Sequence, residues 1–479
     1  MRTLFSLSIF FVLILTSCEK KSGSSNASFL GFSQDTVLFD TVFTARGTAT
    51  KIFKIFNNSK ESMAIKRIAL RNANTFFRFN IDGYSGVQVE NIEILPNDSA
   101  FVFMDANIDP NGSSSPLVIE DALVFDFETG TKELPIVAYG QDAVYITPNV
   151  FPSNIPAYSL LDSVTVWTNE KPYVVFGYAV VDSMYSLTIE AGAKIYFHSG
   201  GGLWIYRDGD LTAKGTVDNP ILFQSDRLES FYANSPGQWD RIWINEGAND
   251  IVIEHAIIKN SVIGLQIETL PFSYNITAPV SARKVTVNNT IIKNCSSSGL
   301  FLRNSKIALN NVEISNCGQH TVAITGGGEY TLNHVTSANY WTAAVRKTPS
   351  FFASNAYKDG NGNIQVRNLN TLNITNSVFV GNNDVELDFE TIEPGVNNLS
   401  LNYSSIYTDD ANKYSGGSQL SFNLTPNFVS RFNSNYRLGT DSPFINKGTG
   451  SIVNKDLLNR PRDAQPDLGA YEYDLSDQN

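Results

Sequence analysis

VTVNNTIIKNCSSSGLFLRNSKIALNNVEISNC (285–317) writes one phrase twice. Each copy has an alternating apolar pair, a polar pair, two variable residues, an apolar residue and a closing Asn. Outward from this stretch the phrase recurs as IVIEHAIIKN (251–260), YTLNHVTSAN (330–339) and LNITNSVFVG (372–381). The second apolar residue serves as origin: Ile253, Val287, Leu309, Leu332 and Ile374. Asn260, Asn294, Asn316 and Asn339 all fall seven positions after their origins, and Asn382 falls eight after its own. Val287 and Leu309 are 22 residues apart, Leu309 and Leu332 23. A period in the low twenties with strand-length alternation predicts a solenoid, one coil per repeat. In such a fold the Asn column is structural, because stacked amides satisfy turn groups that a parallel coil leaves unpaired. His255 and His334 occupy the position held elsewhere by Asn289, Asn311 and Asn376, so they read as members of another stacked column. The chain has only His198, His255, His320 and His334, and no metal site of clustered histidines is expected.

A second short strand follows each Asn-bearing turn: RIWI (241–244), GLQI (264–267), GLFL (299–302), TVAI (321–324) and DVEL (384–387), with GLWI (202–205) as an earlier member. Alternation places Leu203/Ile205, Ile242/Ile244, Leu265/Ile267, Leu300/Leu302, Val322/Ile324 and Val385/Leu387 inside. The residues left outside are Trp204, Trp243, Gln266, Phe301, Ala323 and Glu386. Longer gaps, 34 residues from Ile253 to Val287 and 42 from Leu332 to Ile374, put loops at 268–283 and 347–368 beside this sheet. A further loop, 226–240, precedes it. These loops carry Phe231, Tyr232, Trp239, Phe272, Tyr274, Phe351, Phe352 and Tyr357. Solenoid insertions commonly carry binding, and aromatic faces in a groove suit sugar rings, so an extended glycan is the expected ligand. The binding candidates are Trp204, Trp243, Gln266, Phe301 and Glu386. The blander alternative is that the loop aromatics merely cover the flank of the coil. The outward charges are sparse for a catalyst. If one exists, Arg303 and Glu268 on neighbouring coils are its candidates.

Cys295 and Cys317 each lie eight residues after an origin and are expected to stack one coil apart. Neighbouring strands sit about 4.7–4.9 Å apart, within reach of a disulfide. Reduced cysteines filling the interior are the expectation, and a bridge is the alternative.

The bulk numbers narrow the class. At 479 residues two or three domains are expected, and 12% aromatic with 17% charged residues suits a β-rich exported protein. The net charge of −12, with no basic run longer than Lys20-Lys21, would repel a polyanion and excludes nucleic acid as a partner. Leu4 to Leu15 is apolar but too short to span a bilayer, and with Arg2 before it and small residues after it reads as a signal peptide.

Leu15-Thr16-Ser17-Cys18 resembles the bacterial lipobox. The resemblance implies cleavage after 1–17, lipidation of Cys18, a tether over 18–26, and attachment to the outer membrane or cell surface, with the leaflet open. Seven short alternating runs over 27–142, including FKIFNNSKESMAIKRIAL, resemble immunoglobulin-like β-sandwiches found beside exported bacterial solenoids. Residues 143–186, with Pro148, Pro152, Pro156 and Pro172, read as a connection and opening cap. The run SLTIEAGAKIYFHSGGGLWIYRDGDLTAKGTVDNPILF (186–223), the Asn-bearing copies and the ending SPFINKGTG…DLLNRPRDAQPDLGAYEY (442–473) resemble right-handed parallel β-helices of the pectate-lyase-like superfamily. The likeness is to lipoproteins of Bacteroidetes-type bacteria that join an immunoglobulin-like domain to such a helix. The expected architecture is therefore all-β, with the helix over 187–440 and a cap over 441–479, where Asp456, Arg460, Arg462 and Asp467 pair to close the end. The resemblance is specific for fold and poor for activity. A monomeric, anchored binding or scaffold module for polysaccharide, without a cofactor, is the leading reading. A polysaccharide lyase, using calcium, or a glycosidase in the same groove is one alternative. A structural or adhesin-like spacer is the other.

Overall fold

The structure, a computed structural model, describes residues 26–72, 75–110, 112, 117–269, 280–450 and 452–478. Cys18 and the leader, and the loop aromatics Phe272 and Tyr274, lie outside the described residues. The chain divides into two units, one up to Asp142 and one from Ala143. Among the described residues both are built from strands and short 3-10 turns.

The first unit is a sandwich of two five-stranded sheets. One sheet orders Leu30–Phe32, Lys51–Asn57, Ser99–Ala106, Phe77–Ile81 and Tyr84–Gly86; the other orders Val37–Phe43, Thr131–Gln141, Leu117–Asp126, Met63–Leu70 and Gln88–Ile94. Their inner faces share one core, in which Phe39 meets Phe77 at 5.5 Å and Phe32 meets Phe125 at 5.3 Å between ring centroids. Leu30–Phe32, Tyr84–Gly86 and Gln88–Ile94 add to the strands expected from the alternating runs.

The second unit is a parallel β-helix. Ile251–Glu254 lies on a first face, Ala256–Lys259 on a second and Ile263–Glu268 on a third, and the next coil repeats the order. The five origins are direct register partners: Ile253 with Val287, Val287 with Leu309, Leu309 with Leu332 and Leu332 with Ile374. The first and second faces merge into one sheet because Lys284–Lys293, Ser305–Ser315 and Gly328–Asn339 run through both. Each coil bends at one residue where the first and second faces meet. That residue, His255, Asn289, Asn311, His334 or Asn376 in successive coils, has φ of 46°, 47°, 51°, 55° and 52°. Asn is the side chain that best tolerates this left-handed region, and its amide bonds to the rung beside it. Asn311 Nδ2 donates to Asn289 Oδ1 at 2.9 Å, and Asn376 Nδ2 lies 3.0 Å from His334 Nε2.

The column named from the closing Asn residues is less regular. Asn260, Asn294 and Asn316 are left-handed, at φ 67°, 57° and 55°, and one side-chain rung joins them, Asn294 to Asn260 at 3.4 Å. Asn316 instead donates to Ser434 and accepts from Tyr436. Asn339 ends its strand outside the left-handed region, and its Oδ1 accepts the Cys317 N–H at 2.8 Å. Cys295 and Cys317 are buried, unbridged core residues on adjacent coils.

Two boundaries differ from expectation. The parallel ladders begin at Val144–Ile146 and Tyr158–Leu161, so the Pro-bearing stretch is already coiled. Pro148, Pro152 and Pro156 sit between those strands, where no ladder N–H is required. The last coil pairs Ser405–Ile406 with Ser421–Phe422. Beyond it the chain does not simply close the end. It returns along the outside of the second face, where Tyr436, Leu438, Phe444 and Leu468 pack on Ala338, Val378 and Val380. Further along, Arg462 Nη2 donates to Asn311 Oδ1 at 2.8 Å, Ala470 N to Thr336 Oγ1 at 2.9 Å, and the Tyr471 hydroxyl to Glu313. The paired charges of this strap work within it: Arg462 with Glu472, Arg460 with Asp477, and Asp467 accepting the N–H groups of Asn446 and Tyr473.

Candidate functional site

The third face carries the candidates. Its nine strands run from Tyr158–Leu161 to Leu387–Glu390. Leu203, Ile205, Ile242, Ile244, Leu265 and Ile267 point into the core and are buried. The alternate positions form an outer column in direct register: Trp204, Trp243, Gln266, Phe301, Ala323, Phe352 and Asp388. Four of the five binding candidates therefore lie on one line.

Glu386, the fifth, does not. It was expected outward on a strand at 384–387, but the strand is Leu387–Glu390 and Glu386 precedes it, fully buried. There Arg346 donates to both its carboxylate oxygens, and the N–H groups of Ser350 and Asn383 donate at 2.8 Å each. A carboxylate so enclosed is a structural link between coils. The preceding coil contributes Phe351–Ser354, from a segment read as loop, so Phe352 and Asp388 occupy the outer column. Trp239 is corrected as well: it stacks on Phe197 in the core at 4.4 Å and donates its indole N–H to the Lys259 carbonyl.

Trp204 and Trp243 stack at 4.5 Å with planes 11° apart. Their registration one coil apart turns one face of each indole toward the other, and both side chains are half-buried. Both N–H groups are engaged, Trp204 with Asn245 Oδ1 at 2.7 Å and Trp243 with Glu268 Oε1 at 2.9 Å. Beside them runs a chain of polar groups. The Tyr178 hydroxyl donates to Asp240, Arg241 forks onto Asp240 Oδ1 at 2.8 and 2.9 Å, and Arg241 also donates to Gln266. Gln266 Nε2 donates to Glu268 Oε1 at 2.6 Å, and Glu268 faces Arg303 at 3.6 Å. Arg303 then lies between the Phe301 and Tyr357 rings, 5.0 and 4.3 Å from their centroids. Arg303 and Glu268, the candidate catalytic pair, are thus direct register partners.

The electrostatics follow from this packing. Burial, reinforced by Asp240, pushes the Tyr178 phenol well above its ordinary range. Burial works against charge on Arg241, but Asp240 outweighs it and holds the guanidinium above its usual value. Burial lowers Arg303, with Glu268 opposing. The carboxylates of Asp240 and Glu268 are engaged by Tyr178, Arg241, Trp243, Gln266 and Arg303. That donor set does not fit calcium, since its oxygens already face hydrogen-bond donors and cations. Among the described residues no three His, Cys, Asp or Glu side chains gather as metal ligands. Sequence reasoning missed Tyr178, Asp240 and Asn245, and it placed Phe352 in a flanking loop where the structure has a strand. The pair Phe351-Phe352 carried an alternation signal, while Asp240, just before its strand, carried none.

A family model described as a right-handed β-helix region matches residues 176–336. The solenoid is a right-handed parallel β-helix. No curated protein matches the chain. Among solved structures, a family 123 glycoside hydrolase from Clostridium perfringens, described for glycolipid glycan hydrolysis, aligns at 8% identity over 23% of this chain and 25% of that one. The TM-score is 0.17, too low to carry an argument about fold or activity.

Proposed function

We propose that the third face is a non-catalytic binding surface for an extended glycan, on a protein held at the cell envelope by a lipid on Cys18. The observation that supports it is the Arg241–Gln266–Glu268–Arg303 row, contributed by successive coils beside the stacked indoles. Fixed planar donors and acceptors along such a row suit the hydroxyl rims of sugars. A row contributed by three successive coils also suits a polymer lying along the helix axis. Binding is favoured over catalysis because the carboxylates of Glu268 and the adjacent Asp240 are tied into hydrogen bonds and ion pairs. A general acid must hold a transferable proton within reach of substrate. The immunoglobulin-like reading of the first unit makes it a spacer between anchor and binding face.

Affinity electrophoresis in polysaccharide gels tests the binding reading. In gels of neutral polysaccharide the intact protein is retarded, and a Trp204→Ala/Trp243→Ala double variant migrates as in a blank gel. Equal retardation of the two proteins refutes the reading. Release of ultraviolet-absorbing unsaturated ends, or of new reducing ends, moves the face to the lyase or glycosidase alternative. For the anchor, Cys18→Ser is expected to shift the protein from the membrane to the soluble fraction.

A further inference from the structure

A second recess lies at the corner between the second and third faces, away from the tryptophan row. It is a cleft of about 600 Å³ bounded by the Asn-bearing corner, the segment after Asn339 and the tip of the returning hairpin at 431–434. That size accommodates one or two sugar rings. Its lining differs from the acidic surface expected of a chain with net charge −12: it holds Lys293 and Arg431 and no carboxylate. Lys259, in direct register with Lys293 one coil away, lies outside the lining and donates its Nζ to the Ala233 carbonyl at 3.3 Å. Buried Glu313, behind the corner, lies within electrostatic reach of Lys293 and offsets part of its charge.

The remaining lining suits a sugar ring. Arg431 lies over Tyr340, 4.9 Å from the ring centroid, and Tyr340 is itself stacked on Tyr436. Trp341 is half-buried on one wall, and Phe432, on the hairpin tip, is 97% exposed with no core to join. Asn294 reaches its amide partners, Asn234 and Asn260, only at 3.4 Å each, so it can turn to a ligand hydroxyl at little cost.

We propose that this corner cleft binds an acidic sugar unit, carboxylated or sulfated, with Lys293 and Arg431 taking the anion and Trp341 and Phe432 flanking the ring. Arginine and lysine in a recess free of carboxylates are a direct match for such a group. The site stands on its own residues, so its failure leaves the tryptophan face untouched, and the reverse holds too.

The test is an array of uronate-, sialate- and sulfate-bearing oligosaccharides, each beside its neutral counterpart, probed with the intact protein. Acidic members are retained at least ten-fold better than their neutral partners, and retention falls as salt rises. Lys293→Gln/Arg431→Gln abolishes this preference. Phe432→Ala, at a fully exposed position where the fold is not at stake, weakens retention several-fold. Trp204→Ala/Trp243→Ala leaves the acidic preference in place. No acidic member bound above its neutral counterpart, or a preference that survives Lys293→Gln/Arg431→Gln in a protein with an unchanged melting profile, overturns the proposal.

Discussion

The second and third faces of the solenoid are built from the same repeats, yet their outer surfaces are finished differently. The second face turns Ala338, Val378 and Val380 outward, and the chain covers them with its own C-terminal strap. The third face turns Trp204, Trp243, Gln266 and Phe301 outward, and its groups pair with one another across coils. Apolar surface left to water is costly in proportion to its area, so the second face requires its cover. The third face, half polar and internally bonded, is stable bare. A surface that folding does not need to cover is the one available for a ligand.

Removing the cover should be the most damaging change. A chain ending at Asn427 loses Tyr436, Leu438, Phe444, Leu468 and Tyr471, each buried in the strap contact. Burial of each such side chain contributes roughly 1.5–3 kcal/mol, so the loss is on the order of 10 kcal/mol. The truncated protein is expected to bind a hydrophobic dye and to lose its cooperative melt. If it melts like the full chain, the strap is an ornament and the contrast between the faces fails.

The contrast was only half legible in the sequence. The register was open to reading because it is local and repeated: Val287, Leu309 and Leu332 recur at one spacing and meet as neighbours. The outer column of the third face followed from the same parity through Trp204, Trp243, Gln266 and Phe301. Glu386 departs from the reading because its strand starts at Leu387, three residues after the expected start, so Asp384, Val385 and Glu386 all precede it. Phe351–Ser354 carries no Asn phrase beside it, so the coil looked like an insertion. The strap could not be placed at all. Tyr471 and Glu313 are 158 residues apart, and no periodicity links them.

Acid should separate the faces next, because His334 belongs to the corner that the strap overlies. Burial, with Arg462 adding to it, lowers the imidazole from 6.5 to about 3, so the folded state keeps it neutral. A group whose folded pKa is depressed supplies its stability above the unfolded value and loses it as pH falls below. The stabilisation is thus complete above about pH 6.5 and erodes toward pH 3, by at most about 1.4 kcal/mol per unit. His334→Asn places in this column the residue found at Asn289, Asn311 and Asn376, and it should flatten the pH dependence of denaturant unfolding between pH 6.5 and 4.5. An unchanged slope would locate the acid sensitivity elsewhere, with the strap carboxylates as the next suspects.

The smallest effect on stability should come from Glu268→Gln, and it sharpens the third face most. The amide oxygen can still accept from Trp243 and Gln266, so the hydrogen-bond row keeps its shape while one charge disappears. Glu268 also faces Arg303 at 3.6 Å, and Arg303 retains its contacts with Phe301 and Tyr357. Glu268 is buried and Arg303 largely so, and losing the charge between them is expected to cost about 1.5–3 kcal/mol in denaturant unfolding, still well below the loss of the strap. The functional readings then diverge. A binding surface that uses the row for shape and hydrogen bonding keeps gel retardation within a few-fold of the parent protein. A catalytic face that uses Glu268 as its acid or base loses turnover by a factor of about 100 or more while still binding. Retardation lost together with fold stability would instead show that Glu268 serves to hold Trp243 in place, making the row scaffold rather than contact surface.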